Sequence, residues 1–345
     1  MARFDVLDFY RYGGALWVAV THFTIYYLPV AASIKTRVNL LQPLMGFFFT
    51  LSGFVIMHVY DRRISTMPDY LDYLQKRLAR IYPLHLLTLA LAIVWGLSIN
   101  PARYSSEAIL PNILLLHAWN TTNLLYFNYP SWSVSAEFFV YLLFPVFLIA
   151  VNRLGLYWAL LLPVVSAVAI TIFFKVFKLE HTWTYATYDF GCLRAVPSFL
   201  GGMAIYRLAT VRFARLVVPA WLAHGLTIAT VPMMLLGVPG RLMLAFYVLV
   251  VFLLARAEPA KPGIFSTPFF RALSNCSYGF YMLHALIGAA MISVLPRVFH
   301  LDDNWKFGLA AAAMVVTTVA AVLSFRFFED PARRYLGALP IWRTK

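Results

Sequence analysis

Long apolar runs constrain this chain more than any other feature. Stretches of roughly fifteen to twenty-three residues with few charges, most of them long enough to cross the ~30 Å apolar core of a bilayer as helix, recur at 12–30, 40–60, 81–99, 131–151, 154–174, 191–208, 216–236, 241–255, 274–296 and 307–328. In lipid the backbone must satisfy its own N–H and C=O groups, so runs of this length fold as helices. The expectation is an all-α, polytopic transmembrane bundle of about ten spans, forming a single domain over 1–345. Composition agrees: 62% of residues are hydrophobic and 12% charged, against about 25% charged in soluble domains. The intervals between runs are too short for a soluble domain, and no fixed-period repeat is visible.

Charge placement orients the bundle. Of the 28 Lys and Arg, 19 fall on one side of the ten-span arrangement and 8 on the other, with Arg194 inside a helix end. Under the positive-inside rule the richer side is cytoplasmic, which puts both termini inside. The segment 109–127 is apolar but interrupted by Asn112, His117, Asn120 and Asn123. Counting it as a full span would move the basic C-terminal tail outside, so a partial or interfacial helix is expected there. The formal charge of +14 is then a topology signal and implies no nucleic-acid partner. Asp5 and Asp8 do not suit the basic start of a signal peptide, so the N-terminus is expected to be retained. Cys192 and Cys276 lie far apart without a metal-type spacing.

Polar chemistry appears in unusual places. Arg11 and His22 stand eleven residues apart in the first run, or ~16 Å along a helix. Ionisable groups inside a bilayer are costly and mark function more often than structure. GFFFTLSGF at 46–54 sets Gly46, Ser52 and Gly53 among aromatics, a pattern that permits close helix packing. QKRLARIYPLH at 75–85 reads as a loop carrying Arg77 and Arg80 three apart, a spacing and residue type suited to phosphates. In WSVSAEFFVYLLFP, Trp132 suits the interfacial aromatic belt. Glu137 stands about one and a half turns inside that span, where a carboxylate must pair, protonate or line a wet cavity. SYGFYMLH supplies Ser277, Tyr278, Tyr281 and a second intramembrane histidine, His284. FFEDPARR reads as helix termination at Pro331 followed by a basic anchor.

Depth arithmetic ties these groups together. His22 and His284 each stand ten residues into their runs, roughly 15 Å deep, and Glu137 is about 9 Å in from the opposite face. All three are expected to converge near mid-membrane, with Arg11, Arg77 and Arg80 at the inner rim.

These motifs, in this order and over nearly the whole chain, resemble the acyltransferase 3 family of polytopic membrane acyltransferases. The resemblance rests on the Arg11–His22 pair, GFFFTLSGF, RLARIYP, WSVSAEFFVYLLFP, SYGFYMLH and the terminal FEDP. It implies a ten-helix core that moves an acyl group, usually acetyl from cytoplasmic acetyl-CoA, to hydroxyls of sugars or other acceptors. It makes His22 the essential histidine, Arg11 its paired arginine, Arg77 and Arg80 the cytoplasmic arginine motif, and Glu137 the acid of the Trp-Ser motif. Where relatives often read WSLSVEEQFYLL, this chain has Ala136-Glu137-Phe138, one acid rather than two. The fused periplasmic domain of many relatives is expected to be absent, giving a standalone enzyme of the bacterial inner membrane.

Acyl transfer to an alcohol needs a base, a positioned thioester and oxyanion stabilisation. His22 can serve as the base with Glu137 orienting it, or can itself be transiently acylated. The arginines Arg11, Arg77 and Arg80 would hold the phosphates of acyl-CoA. Ser277, Tyr278 and Arg194 are candidate oxyanion donors, and with His284 and Trp132 they form the expected substrate pocket. The acceptor is expected to be a carbohydrate or lipid-linked oligosaccharide. A transporter or flippase of a lipid-linked saccharide, using His22 and Glu137 as a proton relay, is the competing class; the arginine pair and the absence of inverted repeats argue against it.

Overall fold

The computed structural model describes residues 4–99, 105–257 and 263–341. Arg3, Arg103, Lys261, Arg343 and Lys345 of the charge count lie outside them. Among the described residues the chain is helical, with no strand beyond an isolated bridge between Val218 and Ala257. In chain order the α-helices are α1 (Asp5–Tyr26), α2 (Ala32–Asn39), α3 (Met45–Tyr60), α4 (Met67–Ile99), α5 (Ile109–Ile113), α6 (Trp132–Arg153), α7 (Leu156–Val176) and α8 (Gly191–Arg207). They continue as α9 (Ala220–Leu235), α10 (Gly240–Arg256), α11 (Pro268–Asn275), α12 (Ser277–Gly288), α13 (Leu295–Val298), α14 (Trp305–Ser324) and α15 (Asp330–Ala338).

Six helical stretches are long and apolar enough to cross a membrane: Ala32–Tyr60, Met67–Ser98, Tyr129–Arg153, Leu156–Val176, Ser277–Val298 and Trp305–Ala338. The other four apolar runs also fold as helices, namely α1, α8, α9 and α10. The last three have 16 or 17 residues each, and α1 carries Asp5, Asp8 and Arg11 in its first two turns. Leu161, Val164, Val165, Val168 and Ile172 form one face of α7 and are 46–61% exposed. An apolar face left open in this way fits lipid rather than water.

Three expectations about element ends are corrected. The stretch 75–85 is not a loop: α4 runs through it, with Pro83 inside the helix. Lysine, arginine, leucine and alanine are good helix formers, so charge ends the apolar run without ending the helix. Pro331 likewise does not terminate the last span. A π-helical turn at Phe325–Glu329 leads directly into α15, with Pro331 near its start, so the chain stays helical through the proline. The first helix begins at Asp5 rather than at residue 12, so Arg11 lies within it and meets Asp8 at 3.7 Å. The interrupted segment 109–127 contains only the five-residue α5.

The tightest crossing in the bundle joins α3 and α8. A Cβ on Gly53 would lie 2.0 Å from the Phe199 carbonyl oxygen, and one on Gly202 would lie 2.0 Å from that of Thr50. Only glycine at both positions lets these backbones meet, as small residues do between membrane helices. That contact fixes Ser52, the residue before Gly53, against α6. On the other side of the bundle α12 packs between α1 and α14, which brings the SYGFYMLH motif alongside the Arg11–His22 helix.

Candidate active site

Two cavities in the bundle meet at a shared wall. The first, of about 830 Å³, is lined by Arg11 of α1, Ser52 of α3, Arg77 and Arg80 of α4, Glu137 and Tyr141 of α6, and Ser277 and Tyr278 of α12. The second, of about 1250 Å³, is lined by His22, Tyr26, Asn39, Gln42, Tyr129, Trp132, Tyr188, Asp189 and Arg194, among others. Met45 and Tyr281 line both. The arginine chamber lies toward the start of α1 and the histidine chamber toward its end, ~16 Å further along the helix.

In the arginine chamber, three guanidiniums face one carboxylate. Arg77 donates to the Tyr60 hydroxyl at 3.4 Å and stacks over that ring, while its Nε is buried without a partner among the described residues. Glu137 accepts from Ser52 Oγ at 2.6 Å and from the Tyr141 hydroxyl at 2.5 Å. Tyr278 donates to the Ile81 carbonyl at 2.7 Å, which occupies the proton an oxyanion would need. Ser277 Oγ is buried with no partner among the described residues, so it remains free to donate. Such a chamber is built to take polyanions: guanidiniums bind phosphates through charge-assisted, paired hydrogen bonds.

The expected convergence of His22, His284 and Glu137 holds for the two histidines alone. His22 Nδ1 lies 2.8 Å from His284 Nε2, and the edge of the Tyr129 ring packs against His22 at a centroid distance of 4.9 Å. Glu137 lines the other chamber and spends its carboxylate on Ser52 and Tyr141, so it does not orient His22. Trp132 is 6% exposed and carries the Arg194 guanidinium 4.9 Å above its ring; it is a buried wall, not part of an interfacial belt. Arg194, 3% exposed, donates to the carbonyls of Ala186 and Gln42 at 3.1 and 2.5 Å. Those contacts brace the connection before α8 and leave its positive charge facing the histidine chamber. Tyr185, in that connection, has its phenol pKa raised by burial, with Arg194 opposing the shift.

Several lining residues were given no functional role from the sequence. Tyr141 follows Glu137 by four positions and Tyr281 precedes His284 by three, so helical spacing alone signals both. Ser52 sits inside a motif whose glycines explained it well enough as packing. His181 and Asp189, paired at 2.5 Å beside the histidine chamber, come from an irregular connection and left no periodic signal.

A membrane-embedded histidine beside a cationic chamber suits acyl transfer, and the chain is an integral membrane acyltransferase. It belongs to the acyltransferase 3 family, whose model, described as an acyltransferase domain, matches residues 4–326. It is similar to "Acyltransferase MdmB" of Streptomyces mycarofaciens, 26% identical over 326 residues that cover 84% of this chain and 80% of that protein. It also resembles "Protein 2 in picA locus" of Rhizobium radiobacter, 36% identical over 92 residues, which are 26% of this chain and 44% of that one. No solved structure matches the chain.

Proposed function

We propose that this enzyme moves an acetyl group from cytoplasmic acetyl-CoA to a hydroxyl of a carbohydrate-type acceptor. One observation carries the reading: an arginine-lined and a histidine-lined cavity stand at successive levels of α1 and share Met45 and Tyr281. Arg11, Arg77 and Arg80 hold the donor's phosphates, and its pantetheine arm carries the thioester past Met45 and Tyr281 toward His22. The acceptor enters the other chamber, where Tyr26, Tyr129 and Tyr188 offer ring faces to the C–H faces of a sugar and Asn39, Gln42 and Asp189 offer partners to its hydroxyls. Few polar groups among aromatics is the usual make-up of a small-molecule pocket.

His22 takes the acceptor's hydroxyl proton, the oxygen attacks the thioester carbonyl, and the C–S bond breaks as the thiolate recovers the proton. Transient acylation of His22 itself uses the same geometry. Ser277 and Arg194, one at each chamber, are the oxyanion donors on this reading.

This sidedness goes with the inferred ten-span topology with both ends cytoplasmic. Each of the ten apolar runs coincides with a helix. Arg11 and Arg80 line one chamber near the chain start, and Gln75 on the same helix as Arg80 donates to the carbonyls of Leu336 and Leu339 near the chain end. These contacts support a topology in which both ends lie at the same end of the bundle, as an even number of crossings would put them. Oriented proteoliposomes test the proposal. Acetyl-CoA supplied only at the face that bears the arginines should support transfer to acceptor on the opposite face; transfer that requires both substrates on one face overturns it.

A further inference from the structure

The hydrogen-bond geometry fixes which nitrogen of His22 reacts. We infer that His22 acts through Nε2, held in the Nδ1–H tautomer by His284, whose own tautomer is set by the main-chain carbonyl of Tyr281. This inference rests on the acyltransferase reading above and deepens it.

The chain of reasoning starts at an atom with no choice. The Tyr281 carbonyl oxygen can only accept, and His284 Nδ1 lies 2.6 Å from it, so Nδ1 of His284 carries the proton. His284 is 0% exposed and makes no ion pair among the described residues. An imidazolium buried without a counter-charge is costly, so the ring is neutral and its Nε2 is a bare acceptor. His22 Nδ1 stands 2.8 Å from that acceptor and must donate. The only lone pair left on His22 is at Nε2. His22 is the half-buried member of the pair and lines the acceptor chamber, whereas His284 lines neither chamber. The bare nitrogen thus belongs to the ring that faces substrate.

His284 is accordingly a positioning residue, filling the place a carboxylate fills in a Ser-His-Asp site, where the third group holds the tautomer of the base. A neutral partner does this without placing a fixed negative charge in the membrane. When His22 Nε2 takes the acceptor's proton, its Nδ1 proton can pass to His284 Nε2, so the added positive charge is shared by both rings. Both protons return when the C–S bond breaks and the thiolate sulfur is protonated.

Two measurements test this. The first is 15N NMR of histidine-labelled enzyme in nanodiscs, with the two rings assigned from His22→Ala and His284→Gln. Both rings should be protonated at Nδ1 and bare at Nε2; a His22 ring protonated at Nε2 overturns the proposal without any variant having to be active. The second compares three substitutions at His284. His284→Gln places an amide oxygen where Nε2 stood and should keep kcat within about tenfold of the parent, with the KM for acetyl-CoA unchanged. His284→Asn is too short to accept from His22, and His284→Phe has no acceptor. Both should lose ~10²–10⁴ in kcat, the scale of a general base in the wrong tautomer. If His284→Phe or His284→Asn matches His284→Gln, the positioning role is refuted. That failure is separable from failure of the function itself, because an active His22→Ala would refute the base and leave nothing for His284 to position.

Discussion

The arginine chamber and the histidine chamber share a wall but are built differently. The polar side chains of the first come from regular helix: Arg11, Ser52, Arg77, Arg80, Glu137, Tyr141, Ser277 and Tyr278 on α1, α3, α4, α6 and α12. The second takes His22 and Arg194 from helices, but part of its wall comes from irregular chain: Leu125, His181, Thr187, Tyr188 and Asp189. A donor common to many reactions suits a grip of fixed charges on rigid helices. A particular acceptor suits connecting segments, which vary without disturbing the core. On the proposed reading, the difference teaches that chemistry and donor capture reside in the bundle, and acceptor selection in the joints between helices.

The largest effect that would break this division is at His22. His22→Ala should reduce kcat by ~10²–10⁴ while leaving donor binding intact, because His22 does not line the arginine chamber. Turnover with saturating acetyl-CoA and acceptor, beside direct acetyl-CoA binding by calorimetry, measures both halves. A variant that turns over normally removes His22 from the chemistry; one that no longer binds acetyl-CoA merges the two chambers.

Arg77→Ala and Arg80→Ala should act on the opposite parameter. Each deletes a charge-assisted contact worth about 1.5–3 kcal/mol, so the KM for acetyl-CoA should rise by roughly 10- to 150-fold with the acceptor's KM little changed. Arg77→Lys should recover only part of the loss, since a lysine cannot make the paired contact. Equal rises in both KM values would show that the arginines shape the whole bundle rather than grip the donor.

Much of this arrangement was legible in the sequence, and the exceptions have physical causes. Residue type and spacing carry the phosphate contacts proposed for Arg77 and Arg80, so they stood out even though α4 was misread as a loop there. The end of an apolar run is not the end of a helix: α4 begins well before its run, and α14 continues into α15 beyond its own. Depth was read correctly for His22 and His284, which share a level and meet. It misled for Glu137, which lines the chamber toward the start of α1, on the arginine side of the level at which the two histidines meet. Tyr281 and Met45 stand between the cavities, and only tertiary packing reveals that wall. The connecting segments that line the histidine chamber have no periodicity, so nothing in the sequence placed Asp189 or Tyr188 near His22.

Glu137 offers a sharper test of that separation. It is the only carboxylate among the residues lining the arginine chamber, and its described partners are Ser52 and Tyr141. Glu137→Gln keeps an oxygen acceptor for those hydroxyls and removes only the charge. The expected result is a change in kcat below about tenfold, well short of that at His22, and an unchanged or lower KM for acetyl-CoA because the guanidiniums lose a competitor for the phosphates. A Glu137→Gln enzyme as inactive as His22→Ala would mean that the carboxylate acts on the reacting atoms, across the wall that Tyr281 forms.

The smallest effect concerns where the acceptor extends. Tyr188 lines the histidine chamber and also a neighbouring polar cleft formed with Glu107, Asn120, Asn123 and Tyr126, so it sits where a sugar longer than one ring would pass from one to the other. Its main-chain carbonyl already holds the Asn120 N–H at 2.9 Å, which keeps the cleft in place whatever the side chain does. Tyr188→Phe therefore deletes a single hydroxyl and leaves the ring and backbone unchanged. One hydrogen bond is worth about 0.5–1.5 kcal/mol net, which corresponds to a rise of roughly 2- to 12-fold in the acceptor's KM. The KM for acetyl-CoA should not move, because the residue is absent from the arginine chamber. The measurement gains force when made with acceptors of increasing length: a penalty that appears only beyond the first sugar ring places the extended chain in the cleft, and an equal penalty for a single ring confines Tyr188 to the histidine chamber. No penalty with any acceptor would remove this joint from acceptor selection and weaken the contrast between the two chambers.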